Sequence, residues 1–479
     1  MSQFRRRDLP ALLGGGLFQT RRSLAAAQKP NIVLITGDHL RWNHVAANGN
    51  PAVQTPRMDA LAAAGISFRT CCTVGVACAP NRASMMTGRY PNAHGLMVNG
   101  IKMPEDEVTL THLLRGAGYY TGQMGKLHFW PHSGRNHREA HPAYGFNQMR
   151  LSDEPGCYDD AYGLWLDAQG ADVREKARVA MPGERGRFEH YTFRGDEKTT
   201  HAHWVAGETA RFIAENKGRP FFVHAGFYAP HPPLNPPASM LALYKNTTLP
   251  PRIYREDEAR YLPPTMQKAV RALAGTPEDT WTAYRRHFYA MVSELDRNIG
   301  RIVDSVAAAG LLDQTIFAVT ADHGDYLGDH NLKDKSAIPY DGAMRIPLIF
   351  SGPGVPRGAA SDEVCEILDV TPTLLDLAGL PLPKGNQGTS LTGAMKGGHG
   401  KEFAYMQSPN NRILRGKKAA YCYWANGEEV LFDMEKDPNQ LRNIAQESSG
   451  KGLLDQMRMR MLGRAIETAD PLPERVAPY

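Results

Sequence analysis

Short apolar runs alternate with amphipathic stretches along most of the chain. The first run, residues 31–36, is rich in β-branched residues and ends at Gly37, which is typical of a buried parallel strand. Similar strand-like runs occupy residues 220–227, 315–321 and 346–350, and helical spacing of apolar residues occupies 56–64, 109–117, 203–216 and 283–309. This alternation predicts an α/β fold, with a large, mostly parallel sheet sandwiched by helices.

Two of the predicted strands end in the same pair of polar residues. Asp38 and His39 follow the first run, and Asp322 and His323 follow the run at 315–321. The carboxyl ends of parallel strands meet at one edge of a sheet, where ligands of such folds bind. The pattern fits a divalent-cation site, but strand-end aspartates are also frequent helix N-caps.

The pattern changes towards the C-terminus. Residues 381–400 are rich in proline and glycine and indicate a boundary loop, which a β pattern at 413–433 and a helical pattern at 453–467 follow. We expect a small C-terminal antiparallel sheet plus a helix, packed against the main body. The predicted organisation is a main domain at 28–395 and a C-terminal subdomain at 396–479.

The composition is that of an ordinary globular protein. The chain has 479 residues, of which 42% are hydrophobic and 22% charged, which excludes collagen-like, coiled-coil and disordered classes. No window of about 20 residues is continuously apolar, so we expect no stable membrane insertion. The formal net charge is +5, but residues 1–27 hold five arginines and one aspartate, and the remainder carries only +1. A near-neutral body does not support a nucleic-acid surface.

Residues 1–27 have the features of an export signal. Arg5, Arg6 and Arg7 precede a short apolar run, and alanines 25–27 offer a small-residue cleavage site. Paired arginines are typical of the twin-arginine export route. We therefore expect export to the periplasm or the extracellular space. The alternative is a disordered basic tail.

Cys78 opens the segment with the most chemical information, CAPNRASMMTGR. Pro80 suits the first turn of a helix and Gly88 its end, so Cys78 lies at a helix N-terminus, where free N–H groups and the helix dipole favour an anion. Arg82 and Arg89 are seven residues apart and are expected on one helix face. The segment indicates a reactive cysteine at an anion site. The alternative is a buried structural cysteine.

This segment resembles the signature of the sulfatase family of the alkaline-phosphatase-like superfamily, Cys-X-Pro-X-Arg followed by Thr-Gly-Arg. Further motifs of that family occur in the family's order, namely NIVLITGD, GKLHF, APHPPLNPP, TADHGDYLGDHNLKDK, RIPLIFSGPG, DVTPTLLDLAGLP and EEVLFDMEKDP. The resemblance covers the chain from about residue 30 to the C-terminus. It implies an alkaline-phosphatase-like fold and makes 28–395 the catalytic domain.

The resemblance also implies a reaction and its site residues. It predicts hydrolysis of a sulfate ester by a formylglycine nucleophile, which a formylglycine-generating enzyme makes from Cys78, with a divalent cation bound beside it. The implied catalytic residues are Cys78, Arg82, Lys126, His128, His231 and Lys335. The implied substrate-binding residues are Lys126, His231, Lys335 and Asn99. The implied metal ligands are Asp38, His39, Asp322, His323 and Cys78.

Two positions depart from the family pattern. Asn81 stands where bacterial members with a cysteine signature usually carry serine, and His39 stands where a second aspartate usually ends the first metal-binding strand. The carboxylate ligands suit calcium, so we expect Ca²⁺. The imidazole of His39 suits a transition metal, which makes Mn²⁺ the alternative. Lys126 and His128, two residues apart on an extended chain, are expected to point into one pocket.

The sequence is compatible with two other functions. A phosphonate monoester or phosphodiester hydrolase of the same superfamily shares the modified cysteine and often lacks the second aspartate, although the segment from Lys126 to His128 favours a sulfatase. A catalytically silent scaffold or lectin-like protein would not need the full set of site residues. The expected substrate is a small sulfated ester, and on family grounds a sulfated carbohydrate. Residues 131–200, rich in polar and aromatic side chains, are expected to line its pocket.

Overall fold

The structure, a computed structural model, describes residues 29–180 and 186–469, so the predicted export signal at 1–27 lies outside the described residues. The main sheet consists of β1 (Asn31–Gly37), β2 (Gly65–Cys72), β3 (Tyr120–Gly125), β4 (Gln148–Leu151), β5 (Phe221–Gly226), β6 (Thr315–Ala321), β7 (Arg345–Ser351) and β8 (Ala359–Glu366). Their spatial order is β4-β3-β5-β1-β6-β7-β2-β8. Strand β7 runs antiparallel to β6 and β2, and the other neighbouring strands are parallel. The predicted large, mostly parallel sheet is confirmed.

The described residues form helices around this sheet and in the C-terminal part. They are α1 (Pro56–Ala63), α2 (Cys78–Thr87), α3 (Pro91–His94), α4 (Leu110–Gly116), α5 (Ala161–Asp167), α6 (Val173–Ala177), α7 (His201–Asn216), α8 (Ala238–Ala242), α9 (Pro264–Arg271), α10 (Glu278–Ala308), α11 (Asp341–Met344), α12 (Val370–Leu377), α13 (Thr392–Met395) and α14 (Lys451–Glu467). Helices α1, α7 and α10 pack together in one layer, and α2, α4 and α12 pack together in another. Every residue of β1, β5 and β6 is buried, as strands covered on both faces require. Among the helices that the structure describes, none has both the length and the apolar character of a membrane span.

The four strand-like runs of the sequence correspond to β1, β5, β6 and β7, and three of the other four strands have a weak or interrupted apolar pattern. Strand β4 has four half-buried residues at one edge of the sheet, and β8, at the other edge, begins with alternating half-buried and exposed residues. Edge strands need few apolar side chains, so their apolar signal is weak. Strand β2 is buried, but it contains Arg69 and a register shift against both of its neighbours, which interrupts its apolar run.

The parallel strands bring distant segments to one edge of the sheet. Strands β3, β5, β1 and β6 are consecutive neighbours, so Lys126, Asp38 and Asp322, which follow three of them, come together. The ends of β3 and β5 approach each other closely. A Cβ atom on Gly125, whose φ is 88°, would lie 2.1 Å from the carbonyl oxygen of Gly226, and only glycine fits there.

A second, smaller sheet follows in the C-terminal part. It consists of β9 (Phe403–Gln407), β10 (Asn411–Gly416), β11 (Ala419–Trp424) and β12 (Glu429–Asp433), antiparallel in the order β12-β11-β10-β9. Helix α14 contacts β10. The predicted antiparallel sheet plus helix is confirmed. The boundary between residues 395 and 396 stays a prediction.

Asp341 connects the two sheets. Its carboxylate accepts hydrogen bonds from Nε (2.7 Å) and Nη2 (2.8 Å) of Arg415 in β10, and from Nη1 (3.0 Å) of Arg345 in β7. The three side chains are at most 15% exposed. Burial raises the pKa of Asp341, but Arg415 and Arg345 outweigh it and hold this pKa well below its usual value. One carboxylate therefore neutralises an arginine from each sheet.

We predict that Asp341→Asn lowers the free energy of unfolding by about 2–4 kcal/mol, because two largely buried guanidinium groups lose their counter-charge. Since the folded pKa lies below the unfolded one, this stabilisation is present above about pH 4 and is lost as the pH falls. Urea unfolding at pH 7 and pH 3 measures both effects.

Asp304→Asn is the matched control for that measurement. Asp304 pairs with Arg57 through two side chains that are 58% and 49% exposed. Exposed pairs of this kind contribute about 0–1 kcal/mol. Equal losses of stability in the two variants would contradict the role assigned to Asp341.

Candidate active site

Helix α2 carries the cysteine of the signature. The helix begins at Cys78, and Gly88, in a left-handed conformation with φ 68°, ends it as predicted. Arg89 therefore lies beyond the helix, where its Nη1 is 2.9 Å from Oε1 of Glu107. The prediction that Arg82 and Arg89 share a helix face is wrong, because the helix ends between them.

Two asparagines hold the start of α2. Oδ1 of buried Asn81 accepts hydrogen bonds from the backbone N–H groups of Val74 (3.1 Å) and Gly75 (2.8 Å), and its Nδ2 donates to the carbonyl oxygen of Gly75 (3.1 Å). Oδ1 of exposed Asn99 accepts a hydrogen bond from the N–H of Ala79 (3.0 Å). Asn81 thus stabilises the turn before the cysteine. The substrate-binding role of Asn99 stays a prediction.

The thiol of Cys78 is buried among charged groups. Its Sγ lies 3.1 Å from Nε2 of His323 and 3.8 Å from Oδ1 of Asp38. Burial and the charge of Asp38 raise the pKa of this thiol, but Lys335 and His323 outweigh them, and the pKa falls to about 6. A thiol here is largely ionised at neutral pH. The positive charge responsible stabilises any anion at this position.

Two carboxylates and two cations form a buried ion network beside the thiol. Nζ of Lys126 lies 2.7 Å from Oδ2 of Asp38. Arg82 lies between the carboxylates, with Nε 2.8 Å from Oδ2 of Asp322 and Nη2 3.5 Å from Oδ2 of Asp38. Burial raises the pKa of Asp38, but Lys126, His231 and Arg82 outweigh it and keep that pKa well below its usual value. Asp38 therefore stays charged although it is buried, whereas burial, then the charge of Asp38, raise the pKa of Asp322.

Four side chains present possible metal-ligand atoms to one point. These atoms, from Asp38, Cys78, Asp322 and His323, all lie within 4.8 Å of one another. Nδ1 of His323 donates a hydrogen bond to the carbonyl oxygen of Gly324 (2.8 Å), so Nε2 faces the carboxylates. A hydrogen bond of this kind orients the ring of metal-binding histidines. Burial lowers the pKa of His323, but Asp322 and Cys78 raise it to about 9. The same negative field attracts a cation, and the donor set fits a divalent one.

His39 has other partners. Its Nε2 accepts a hydrogen bond from Nζ of Lys335 (2.7 Å), so Nδ1 carries the proton and donates to Oδ2 of Asp325 (2.9 Å). Burial, then Lys335, keep the pKa of His39 well below its usual value, and the ring is neutral. Asp38, His39 and His231 form a second group of possible ligands. His39 thus brings Lys335 into the site, and its role as a metal ligand stays a prediction.

Lys126 and His128 both lie just beyond β3, and His128 has a left-handed φ of 64°. That the two side chains point into one pocket stays a prediction. Their charges are coupled. Burial, then the charge of Lys126, lower the pKa of His128 to about 4. His128 is therefore a neutral, buried imidazole at neutral pH.

His231 lies in the loop after β5. Its Nδ1 donates a hydrogen bond to the carbonyl oxygen of Pro232 (2.5 Å), which orients the ring. The ring centroid lies 4.5 Å from that of His39 and 4.6 Å from that of Tyr228. The structure thus brings His231 to the same cluster as the strand-end residues.

Several contributing residues were missed from the sequence. Asp325 holds His39, Tyr228 lies with its ring centroid 5.1 Å from Nζ of Lys126, and Asp153 acts on the pKa of His128. Asp325 had a signal, because it follows Asp322 by three residues in the same motif. The other two lie in segments with no motif, and only the folded chain brings them to the site.

Comparison with known proteins decides the family. A sequence profile described as Sulfatase matches residues 30–380, which is well over half of the chain. The chain belongs to the sulfatase family. A second profile, described as N-sulphoglucosamine sulphohydrolase, C-terminal, matches residues 328–467 of this sulfatase-family enzyme.

Individual relatives agree with this assignment. An arylsulfatase of Clostridium perfringens is 29% identical over 459 residues, which cover 90% of this chain and 93% of that protein. The phosphonate monoester hydrolase of Agrobacterium radiobacter has a TM-score of 0.81 at 23% identity, over 92% of this chain and 96% of that one. A protein solved with its substrate D-glucosamine-2-N,6-O-disulfate has a TM-score of 0.73 at 22% identity, over 94% and 100%. The alkaline-phosphatase-like fold predicted for this sulfatase-family chain is confirmed.

We predict that Asn81→Ala lowers the free energy of unfolding of the sulfatase-family protein by about 2–4 kcal/mol, because two buried N–H groups and one carbonyl lose their partner. Chemical denaturation measures the change. Asn136→Ala, at an exposed position, is the control and is expected to change stability by less than about 0.5 kcal/mol. An unchanged stability in Asn81→Ala would show that the turn before Cys78 holds without this side chain.

Proposed function

We propose that this sulfatase-family enzyme hydrolyses a sulfate ester, carried by a carbohydrate, with formylglycine made from Cys78 as the nucleophile and a divalent cation beside it. The observation that carries the proposal is the position of Cys78. It is a buried residue at a helix N-terminus, and its Sγ lies within 4.8 Å of ligand atoms of Asp38, Asp322 and His323. Such a position places a nucleophile where an oxyanion and a cation can both be held.

The proposed cation ligands are Asp38, Asp322, His323 and the modified residue 78, with His39 as a further candidate. When bound, a divalent cation neutralises negative charge on the oxygens of the transferred group. Carboxylate ligands favour Ca²⁺, whereas the imidazoles of His323 and His39 make Mn²⁺ the alternative. The ion network of Asp38 and Arg82 holds the carboxylates in place.

Modification of Cys78 explains why a cysteine stands at this point. A hydrated formylglycine supplies two geminal hydroxyl groups, one to attack sulfur and one whose deprotonation expels sulfate as the aldehyde re-forms. Arg82 keeps the carboxylates beside this residue in their positions. Lys126 and Lys335 supply fixed positive charge where the transferred oxygens become negative.

Two histidines are the proposed proton carriers. His128, with a pKa of about 4, is neutral at pH 7 and accepts the proton of a hydroxyl group on residue 78. His231, oriented by its Nδ1 hydrogen bond, is the proposed donor to the leaving-group oxygen, which departs as an alcohol. His231, Lys126 and Lys335 are the proposed contacts of the sulfate group, and Asn99 is a further substrate contact.

The remaining proposals concern organisation and compartment. We assign a catalytic domain to 28–395, a C-terminal subdomain to 396–479 and a twin-arginine export signal to 1–27. Because that route carries folded proteins, a formylglycine-generating enzyme acts on the chain before export to the periplasm or the extracellular space. The likeness to a protein that binds a disulfated glucosamine supports a sulfated sugar as the substrate.

We predict that residue 78 is an aldehyde in protein from the native producer, or from a host with a formylglycine-generating system. Mass spectrometry of the tryptic peptide 70–82 tests this, because fragmentation separates residue 78 from the thiols of Cys71 and Cys72. Those two cysteines are buried in β2 and should remain thiols. An intact thiol at position 78 in fully active enzyme would overturn the mechanism.

Cys78→Ala is expected to abolish turnover of an aryl sulfate and to change the free energy of unfolding by less than about 1 kcal/mol, because the residue acts in the site and not in the core. Cys157→Ala is the matched control. Cys157 is a half-buried cysteine outside the proposed site, so this variant should retain wild-type turnover. Equal loss of turnover in both variants would point to a shared folding defect.

The second candidate function is phosphonate monoester hydrolysis. His39 favours it, because phosphonate monoester hydrolases of the same superfamily often lack the second aspartate that His39 replaces. We expect kcat/KM for an aryl sulfate to exceed that for an aryl phosphonate at least tenfold. A phosphonate preference would replace the sulfate proposal. Absence of turnover with both esters, in protein with verified modification and bound metal, would favour a binding protein.

A further inference from the structure

A cleft separate from the Cys78 site lies at the same end of the main sheet. It is lined by residues of the segments 41–52, 248–253 and 327–329, together with Arg285 and Tyr289 of α10, and we call it the Arg285 cleft. Its volume is about 530 Å³, which is in the range of small-molecule sites. Among the described residues that line it, none belongs to the set proposed to act at Cys78.

The lining combines apolar walls with a few polar groups. The apolar residues are Trp42, Pro51, Ala52, Leu249, Pro250, Pro251, Ile253 and Leu327. The polar side chains include Asn43, Asn50 and Tyr289, and Nδ2 of Asn50 donates to the hydroxyl of Tyr289 (3.1 Å). Apolar walls with a small number of fixed polar groups are typical of sites for organic ligands.

Arg285 is the unusual residue of this cleft. It is 7% exposed, and its Nη2 donates to the carbonyl oxygen of Pro250 (2.7 Å). Within the described residues, no carboxylate forms an ion pair with it. The acids whose charges reach it are engaged elsewhere, since Asp329 pairs with Arg41 (2.5 Å) and Glu278 pairs with Arg252 (2.9 Å). The cleft therefore has a buried positive charge without a counter-charge.

Neighbouring groups do not cancel this charge. Burial, then Arg41 and Arg285, keep the pKa of His44 well below its usual value, so His44 is neutral. Its Nε2 has no hydrogen-bond partner among the described residues. Arg41 and Asp329 neutralise each other, so the charge of Arg285 is not balanced by either of them. A buried unpaired cation costs free energy that a bound anion recovers.

We propose that the Arg285 cleft binds an organic anion, whose carboxylate or sulfate group pairs with Arg285 and whose body contacts the apolar walls. The planar fork of a guanidinium group matches two oxygens of such a group. The volume exceeds what a single inorganic ion fills. The anion has two possible sources, a free organic acid or a second charged group of a larger substrate. The inference does not depend on the reaction at Cys78.

Calorimetric titration with benzoate tests the site, with inorganic sulfate as the comparison ligand. The wild-type protein is expected to bind benzoate more tightly than sulfate, and Arg285→Gln is expected to weaken benzoate binding at least tenfold. Arg297→Gln, an exposed arginine on the same helix that pairs with Glu197, is the matched control and should bind as the wild type does. No benzoate binding by the wild type, or equal affinity in Arg285→Gln, would overturn the proposal.

Thermal unfolding without ligand separates binding from a structural role. Removal of an unpaired buried charge is expected to leave the Tm of Arg285→Gln equal to or above that of the wild type. A large fall in Tm would show that Arg285 supports the fold and would overturn the proposal. Arg285→Lys, which keeps the charge and loses the fork, is the second variant and should show an intermediate affinity for benzoate.

Steady-state kinetics distinguish the two sources of the anion. If the anion is part of the substrate, Arg285→Gln raises KM for an anionic oligosaccharide sulfate and leaves KM for a small aryl sulfate unchanged. If it is a free organic acid, both KM values stay unchanged while benzoate binding is lost. Both results agree with an anion site at Arg285. The titration itself stands even if neither ester is turned over.

Discussion

The pairing of two buried carboxylates with two buried cations is the constraint on which the site depends. Asp38 and Asp322 face each other at the carboxyl edge of the sheet, and Arg82 and Lys126 compensate their charges. Loss of either cation would leave an uncompensated buried carboxylate. The resulting loss in free energy of unfolding is much larger than the contribution of a surface ion pair. The network therefore determines where α2 can lie, and with it the position of Cys78.

The parallel sheet positions these groups. The ends of β3 and β5 approach each other closely because both strands end in glycine. Lys126 leaves β3 directly after Gly125, and a Cβ atom on Gly226 in β5 would lie 2.0 Å from the carbonyl oxygen of Lys126. The lysine can reach Asp38 because the two strand ends meet without side chains between them. The buried ion network is thus built into strand ends, whose positions a buried sheet holds more rigidly than exposed loops would.

Charge is balanced differently around Cys78 and around Arg285. At Cys78 the cations have carboxylate partners, and the surplus from Lys335 and His323 lowers the pKa of the thiol to about 6. At Arg285 one arginine has only a neutral acceptor. The charges of the first arrangement stabilise a negative charge at residue 78. In the second, the cation pairs with no carboxylate among the described residues.

The sequence by itself determined the α/β class, the family signature at Cys78 and the strand-end position of Asp38, because these follow from local patterns of residue type. Only the tertiary structure decided that His39 bonds to Lys335 and Asp325, and that Arg82 pairs with Asp322. The edge strands β4 and β8 were also recognised only from their pairing with neighbouring strands. The physical reason is the same in each case: hydrogen bonds and ion pairs between segments hundreds of residues apart depend on strand order, which local periodicity does not contain.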